Sequence, residues 1–200
     1  MRGYFGVGVE GISKAMNVGS LFRTAHAFDA SFVFTVSANY DRTDGNQADT
    51  SNALGHLPFY SFPDLPSMIL PKDCVLVGVE LTDDAVDLPS FHHPQQAAYI
   101  LGPERGSLSP AMQERCRYTL KIPTRFCINV GLAGAIVMYD RSIAQGRFAP
   151  RPVAPGGPKE DLPPHTHGGR FERKPKMETH RDTPPLEAVD VLKAETTETG

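Results

Sequence analysis

The sequence predicts an α/β protein, an open and mostly parallel sheet with helices on both faces. Three observations carry this. Cys74 to Leu81 (Cys-Val-Leu-Val-Gly-Val-Glu-Leu) and Ala97 to Leu101 are nearly unbroken apolar runs, as interior parallel strands are when both faces are covered. Segments with helical 3–4 spacing alternate with β-rich runs, which favours parallel strands joined by crossover helices. The turns after these strands hold glycine, proline and polar residues, and ligands in open sheets bind at such carboxyl ends.

Taken in order, residues 3–9 (Gly-Tyr-Phe-Gly-Val-Gly-Val) read as a short buried strand. A helix is expected from about Asn17 to Asp29, with Leu21, Phe22, Ala25 and Phe28 on one apolar face and Asn17 as its N-cap. Residues 31–37 are a β-rich run, followed by a polar loop through Asn52 that contains Tyr40, Asp41, Arg42, Asp44, Gly45 and Asn46. Pro58 to Phe62 reads as a short strand and Asp64 to Leu70 as a short helix. Beyond the strands at Cys74–Leu81 and Ala97–Gly102, Pro110 to Cys116 is a short helix opened by proline. Tyr118 to Ile122 is a further strand. The last element is a long helix from about Asn129 to Gln145, slim at its start (Gly131, Ala133, Gly134, Ala135), with Ile136, Val137 and Ile143 supplying an apolar face.

Composition divides the chain. Residues 151–200 hold eight prolines, eight Lys/Arg and nine Asp/Glu with scattered apolar positions, too little apolar surface to offset the entropy of ordering. The expected organisation is one domain over residues 1–149 and a disordered tail over 150–200. The formal charge of −3 gives no overall basic footprint for nucleic acid. Any such contact falls to a local patch, for which Arg23, Arg105, Arg115, Arg117, Lys121 and Arg125 are the candidates. Three cysteines without metal-ligand spacing, no signal peptide and no apolar run near twenty residues suggest a cytoplasmic chain with reduced thiols and no membrane contact.

Chemistry concentrates in three strand-to-helix junctions. The first is Asn17-Val18-Gly19-Ser20-Leu21-Phe22-Arg23, an arginine six residues after an asparagine. The second is Gly102-Pro103-Glu104-Arg105-Gly106, where glycine lets backbone approach a ligand and proline stiffens the turn. The third is Ile122-Pro123-Thr124-Arg125-Phe126-Cys127-Ile128-Asn129. Each alone has a plainer reading, as a solvated helical arginine, a tight β–α turn and a helix cap. Cys127 by residue type reads as a small buried apolar residue. His92-His93 and the pair His165 and His167 lack the convergent ligands of a metal site, and no G-x-G-x-x-G or phosphate-loop lysine is present. Phe91, Phe126 and Tyr40 are aromatics able to stack on bases.

In this order, over about residues 3–148, the three segments resemble the signature motifs of the SpoU-type (TrmH-like) RNA ribose 2'-O-methyltransferases of the SPOUT superfamily. The resemblance implies a deep C-terminal trefoil knot, which no periodicity or spacing predicts. It also implies S-adenosylmethionine as cofactor, a homodimer built on the first and last helices, and RNA as substrate. Carried over residue by residue, it assigns Arg23, Asn17, Glu104 and Asn129 to catalysis. Val79, Leu81, Gly102, Ile122, Cys127 and Ile128 are assigned to cofactor binding. Family members usually carry serine where Cys127 stands, and a thiol is the weaker hydrogen-bonding group. Since the catalytic core fills most of the domain, as in the short tRNA-modifying members, tRNA is favoured over ribosomal RNA. RNA base methylation and a noncatalytic S-adenosylmethionine- or RNA-binding module are the alternatives.

The implied reaction places the difficulty on the nucleophile, a hydroxyl almost wholly protonated at neutral pH. For Arg23 to act as a literal base, the pKa would have to fall from about 13 toward 7, roughly 8 kcal/mol. Stabilising the developing alkoxide while holding a neighbouring phosphate demands less and suits the guanidinium's fork of donors.

Overall fold

The computed structural model describes residues 3–39, 56–103, 106–146, 148–158 and 162. The chain divides into Met1–Phe148 and Ala149–Gly200, and the sheet with its helices lies in the first unit. The seven strands are β1 (Tyr4–Glu10), β2 (Phe32–Val36), β3 (Phe59–Phe62), β4 (Val75–Val79), β5 (Val86–Asp87), β6 (Gln96–Leu101) and β7 (Tyr118–Lys121). They form one sheet in the order β3-β2-β1-β6-β4-β7-β5, and each pairing is parallel. Three helices matter here: α1 (Ala15–Ala27), α2 (Pro110–Arg115) and α3 (Val130–Gln145).

Side-chain alternation along the strands divides the core into two layers. Phe5, Val7 and Val9 of β1, Val33 of β2, Val77 of β4 and Ala97, Tyr99 and Leu101 of β6 pack with Leu21, Phe22 and Ala25 of α1 and Ala133, Val137 and Met138 of α3. Phe32, Phe34 and Val36, Leu76, and Ala98 and Ile100 point the other way, against Met68, Leu108 and Met112. Both faces are therefore covered, and the strands can be apolar throughout. On the second face the middle of β1 offers Gly6 and Gly8 between Tyr4 and Glu10. The rings of Phe32 and Phe34 lie across them, and a Cβ at either glycine would overlap a ring.

Helices α1 and α3 pack against one another because their contact residues are small. A Cβ at Gly134 would collide with Leu21, and one at Gly131 would stand 3.1 Å from the Ser20 hydroxyl. The predicted apolar face of α3 needs correction. Val137 is buried, but Ile136 and Ile143 point outward with Leu132 and Tyr139, at the spacing of a second stripe.

Other expectations shift. Helix α1 begins at Ala15, with Lys14 as its N-cap and no side-chain capping bond, so Asn17 lies inside the first turn and is not the cap. Residues 64–70 form turns, not a helix. The Asp64 carboxylate accepts from the Ser67 amide at 2.9 Å, the Ser67 hydroxyl donates to the Asp64 carbonyl at 2.8 Å, and Pro66 lacks a donor. Local side-chain bonds of this kind compete with helix. Strand β5 and the 3-10 turn Leu88–Ser90 had no signal in the sequence. Most of the polar loop (residues 40–52), Glu104, Arg105 and His165 to His167 lie outside the described residues, and so does the chain path that the expected trefoil knot requires. Among the described residues no helix is long and apolar enough to cross a membrane.

Candidate active site

Strand β4 lies between β6 and β7, so the carboxyl ends of three strands meet at one edge of the sheet. A cleft of about 400 Å³ opens there. From β4 come Val79, Glu80 and Leu81; from β6, Leu101, Gly102 and Pro103; beyond β7, Ile122 and Thr124. The starts of two helices close it, with Lys14 and Asn17 from α1, and Cys127, Ile128, Asn129, Val130 and Ala133 from α3 and its approach. Gly102 meets the neighbouring chain so closely that a Cβ would lie 3.0 Å from the Leu108 amide nitrogen. Apart from Glu80, the cleft is apolar on its strand side, and it is amide-rich at the helix starts.

The structure brings together Val79, Leu81, Gly102, Ile122, Cys127 and Ile128 in this cleft, with Asn17 and Asn129 beside them. Cys127 is exposed there and is not a buried core residue. Arg23 is not among the lining residues; it is exposed on α1. The exposed positions of α1 (Met16, Ser20, Arg23, Ala27) recur at intervals of three and four, so Arg23 belongs to an outward stripe.

Asn129 ties the two helix starts together. Its Oδ1 caps α3, accepting from the amides of Gly131 at 2.8 Å and Leu132 at 3.4 Å. Its Nδ2 is thereby turned toward Asn17 and donates to Asn17 Oδ1 at 3.2 Å. The two backbone donors fix which end of each amide faces which partner. Asn17, which does not cap α1, lines the cleft with its Oδ1 held by Asn129.

The proposed basic patch is partly spent on structure. Arg115 donates to the carbonyls of Leu65 and Met68 at 2.6 Å each, and Lys121 to those of Thr82 and Asp83 at 3.1 and 3.3 Å. Arg117 lies over the Tyr118 ring, while Arg23 and Arg125 are exposed. Of the aromatics named as stacking candidates, Phe91 packs edge-on against His93 and Tyr118, whereas Phe126 is 76% exposed beside the cleft. Its loop is held by Thr124, whose hydroxyl donates to the Phe126 carbonyl at 3.0 Å.

His93 is buried in a hydrogen-bond chain remote from these roles. Arg141 donates to the Tyr99 hydroxyl at 3.1 Å, Tyr99 donates to His93 Nδ1 at 2.6 Å, and His93 Nε2 donates to Asp140 at 2.9 Å. Among the described residues no group of three or more His, Cys, Asp or Glu is placed to hold a metal ion. The cysteines are free; burial pushes the Cys116 thiol up to about 12, with Glu10 adding to the effect, so it is no nucleophile. Sequence reasoning passed over Lys14, Thr124 and above all Glu80. Its signal was a carboxylate closing an otherwise apolar strand.

An open parallel sheet with a ligand-sized cleft across three strand ends and two helix starts defines a ligand-binding α/β protein. The kind follows from comparison. Residues 5–139 match the model of the SpoU rRNA Methylase family, and the chain belongs to that family. The SpoU methyltransferase AviRb from Streptomyces viridochromogenes is similar at 25% identity and a TM-score of 0.64, over 72% of this chain and 61% of that one. Its complex with the cofactor AdoMet is also similar, at 24% identity and a TM-score of 0.65, over 73% and 63% of the two chains. A structure concerned with 2-OH methylation of C/U34 on tRNA shares the fold at 16% identity and a TM-score of 0.62, over 71% and 91%. The chain thus spans about three fifths of the AviRb length. No curated protein sequence matches it.

Proposed function

We propose that this chain is an RNA methyltransferase that uses S-adenosylmethionine to methylate a ribose 2'-hydroxyl, of tRNA in preference to ribosomal RNA. The observation that carries the reading is the single cleft shared by Val79, Leu81, Gly102, Ile122, Cys127 and Ile128 with Asn17 and Asn129 at its edge. The residues present fit the cofactor. The cleft volume suits a ligand of that size, its apolar walls suit an adenine, and the Gly102 backbone has no room for a side chain. Similarity to AviRb, whose complex with AdoMet shares the fold, supports the same cofactor. The match to 91% of the tRNA-methylation chain supports the tRNA preference.

Once bound, the cofactor supplies a methyl group on a sulfonium, whose neutral departure needs no acid. The chain's task is then to bind, to align and to ease loss of the hydroxyl proton. Asn17, whose Oδ1 accepts from Asn129 at the cleft edge, helps to place the ribose. Arg23 stabilises the developing alkoxide and holds an adjacent phosphate. From the exposed stripe of α1 it serves the cleft of a second copy in this reading.

That second copy follows from α3. Leu132 (62% exposed), Ile136, Tyr139 (56% exposed) and Ile143 form an exposed apolar stripe on α3, the helix that packs against α1. A homodimer closing over both stripes removes this surface from water and carries Arg23 across to its partner. Glu104, Cys127 in place of serine, and a trefoil knot belong to the same reading.

The experiment is incubation of the purified protein with labelled S-adenosylmethionine and bulk small RNA, followed by nucleoside mass spectrometry. A 2'-O-methyl nucleoside is expected. A methyl group on a base ring, or cofactor binding without transfer, overturns the proposal.

A further inference from the structure

Glu80 touches no expected substrate group, yet it sits where the cofactor loop is hung. Its Oε1 accepts from the Leu81 amide at 2.9 Å, and its Oε2 reaches beyond β6 to accept from the Leu108 amide at 2.7 Å. From the other side of β6, Glu10 at the end of β1 accepts from the Ser109 amide at 2.8 Å and from the Ser109 hydroxyl at 2.6 Å. Strands β1 and β4 flank β6 in the sheet, so two carboxylates from its neighbours seize adjacent residues of the segment that β6 leads into. The Gln113 side chain holds the Leu108 carbonyl at 2.7 Å, and the Leu108 side chain is buried in the second core layer.

Gly102 closes the arrangement. A Cβ there would stand 3.0 Å from the Leu108 nitrogen and 3.4 Å from Glu80 Oε2, directly against the bond between them. The narrow backbone of the cleft and the Glu80–Leu108 bond therefore occupy one packed unit. Glu80 and Gly102 both line the cleft.

We propose that Glu80 is a positioning residue for the cofactor. By fixing Leu108 it holds Gly102, Pro103 and Gly106 at the separation that the cofactor's adenosyl part requires. The role rests on the proposed S-adenosylmethionine site. A carboxylate is needed because both oxygens accept from backbone N–H groups. A glutamine has one acceptor, and its amide would turn a donor against one of those N–H groups.

The test is calorimetric titration of the full chain with S-adenosylmethionine, alongside thermal unfolding and steady-state kinetics. For Glu80→Gln we expect affinity weaker by about ten-fold or more, the scale of one unsatisfied buried amide. KM for the cofactor rises in step, while kcat at saturation stays near wild type. Glu80→Asp, one methylene too short to hold the Leu108 amide in the same way, should show the same split and stands in if Glu80→Gln does not fold. Wild type that binds no cofactor overturns the functional reading itself. Wild type that binds, with Glu80→Gln (or Glu80→Asp in its place) binding equally well, overturns the positioning role alone. A parallel fall in kcat and unfolding midpoint, without a change in affinity, also overturns it.

Discussion

At the scale of single residues, Asn129 shows how one side chain serves two ends. Its oxygen caps α3 and its nitrogen orients Asn17, two functions that a substitution can separate. Asn129→Asp keeps a good cap, because aspartate accepts from the same amides, but it offers no donor to Asn17. We expect its unfolding midpoint to match wild type and its kcat to fall by about five-fold, as when a neutral hydrogen bond near 1 kcal/mol is lost. Asn129→Ala should lose about 1 kcal/mol of stability as well. Unchanged turnover in the aspartate variant would detach Asn17 orientation from catalysis. Arg23→Ala is the sharper case. Exposed and off the cleft of its own chain, it should leave cofactor affinity unaltered. Turnover should fall by about 10²–10³-fold, the effect of removing a donor to a developing oxyanion. Single-turnover methylation measures this, and wild-type rates would remove Arg23 from the mechanism.

At the scale of elements, α3 is pinned by its own polar residues at the end away from the cleft. Arg141 is buried, with donors on the carbonyls of Pro94 and Gln95 at 2.6 and 2.8 Å. It also begins the donor chain through Tyr99 and His93 to Asp140. That chain runs in one direction. A proton on His93 Nδ1 would face the hydroxyl that already receives from Arg141, leaving Tyr99 without an acceptor for its own hydrogen. Burial lowers the His93 pKa, and the Asp140 carboxylate opposes this only in part. A histidine whose folded pKa is depressed contributes stability that is whole above its unfolded value, near 6.5. That stability is lost as pH falls through the folded value, because the unfolded chain takes up the proton first. Thermal unfolding between pH 7.5 and 5 should show stability declining below about 6.5. NMR titration should show His93 still neutral when exposed histidines have charged. A His93 resonance titrating at or above 6.5 would contradict this account.

At the scale of the whole molecule, the α1 and α3 stripes decide between a complete and an incomplete site. Ile136 is 40% exposed in the single chain and makes up the middle of the α3 stripe with Tyr139. Ile136→Asp places a charge where the proposed interface is apolar, at little cost to the isolated fold. Sedimentation should show a dimer for wild type and a monomer for the variant, with methyl transfer lost and helix content retained. A wild-type monomer with full activity would end the two-subunit site. The scales are linked in the proposal: the catalytic place given to Arg23 rests on α1 meeting a second molecule.

How much of this the sequence determined depends on the range of the interaction concerned. The strands were legible because burial on both faces writes unbroken apolar runs, and β1, β2, β4, β6 and β7 fall within a residue or two of their expected bounds. The turns at 64–70 misled because the Asp64–Ser67 bonds are a local alternative that periodicity does not register. The helix start moved from Asn17 because capping potential is a property of one residue, whereas Asn17 found a partner 112 positions away. The family and the list of cleft residues came from short motifs, which keep their spacing in any chain that carries them. Only the tertiary structure decided that β4 stands between β6 and β7, that Glu80 bonds to Leu108 beyond β6, and that Arg23 is not among the residues lining the cleft. Strand order and side-chain direction are set by packing between segments far apart in the chain, and no local pattern encodes that.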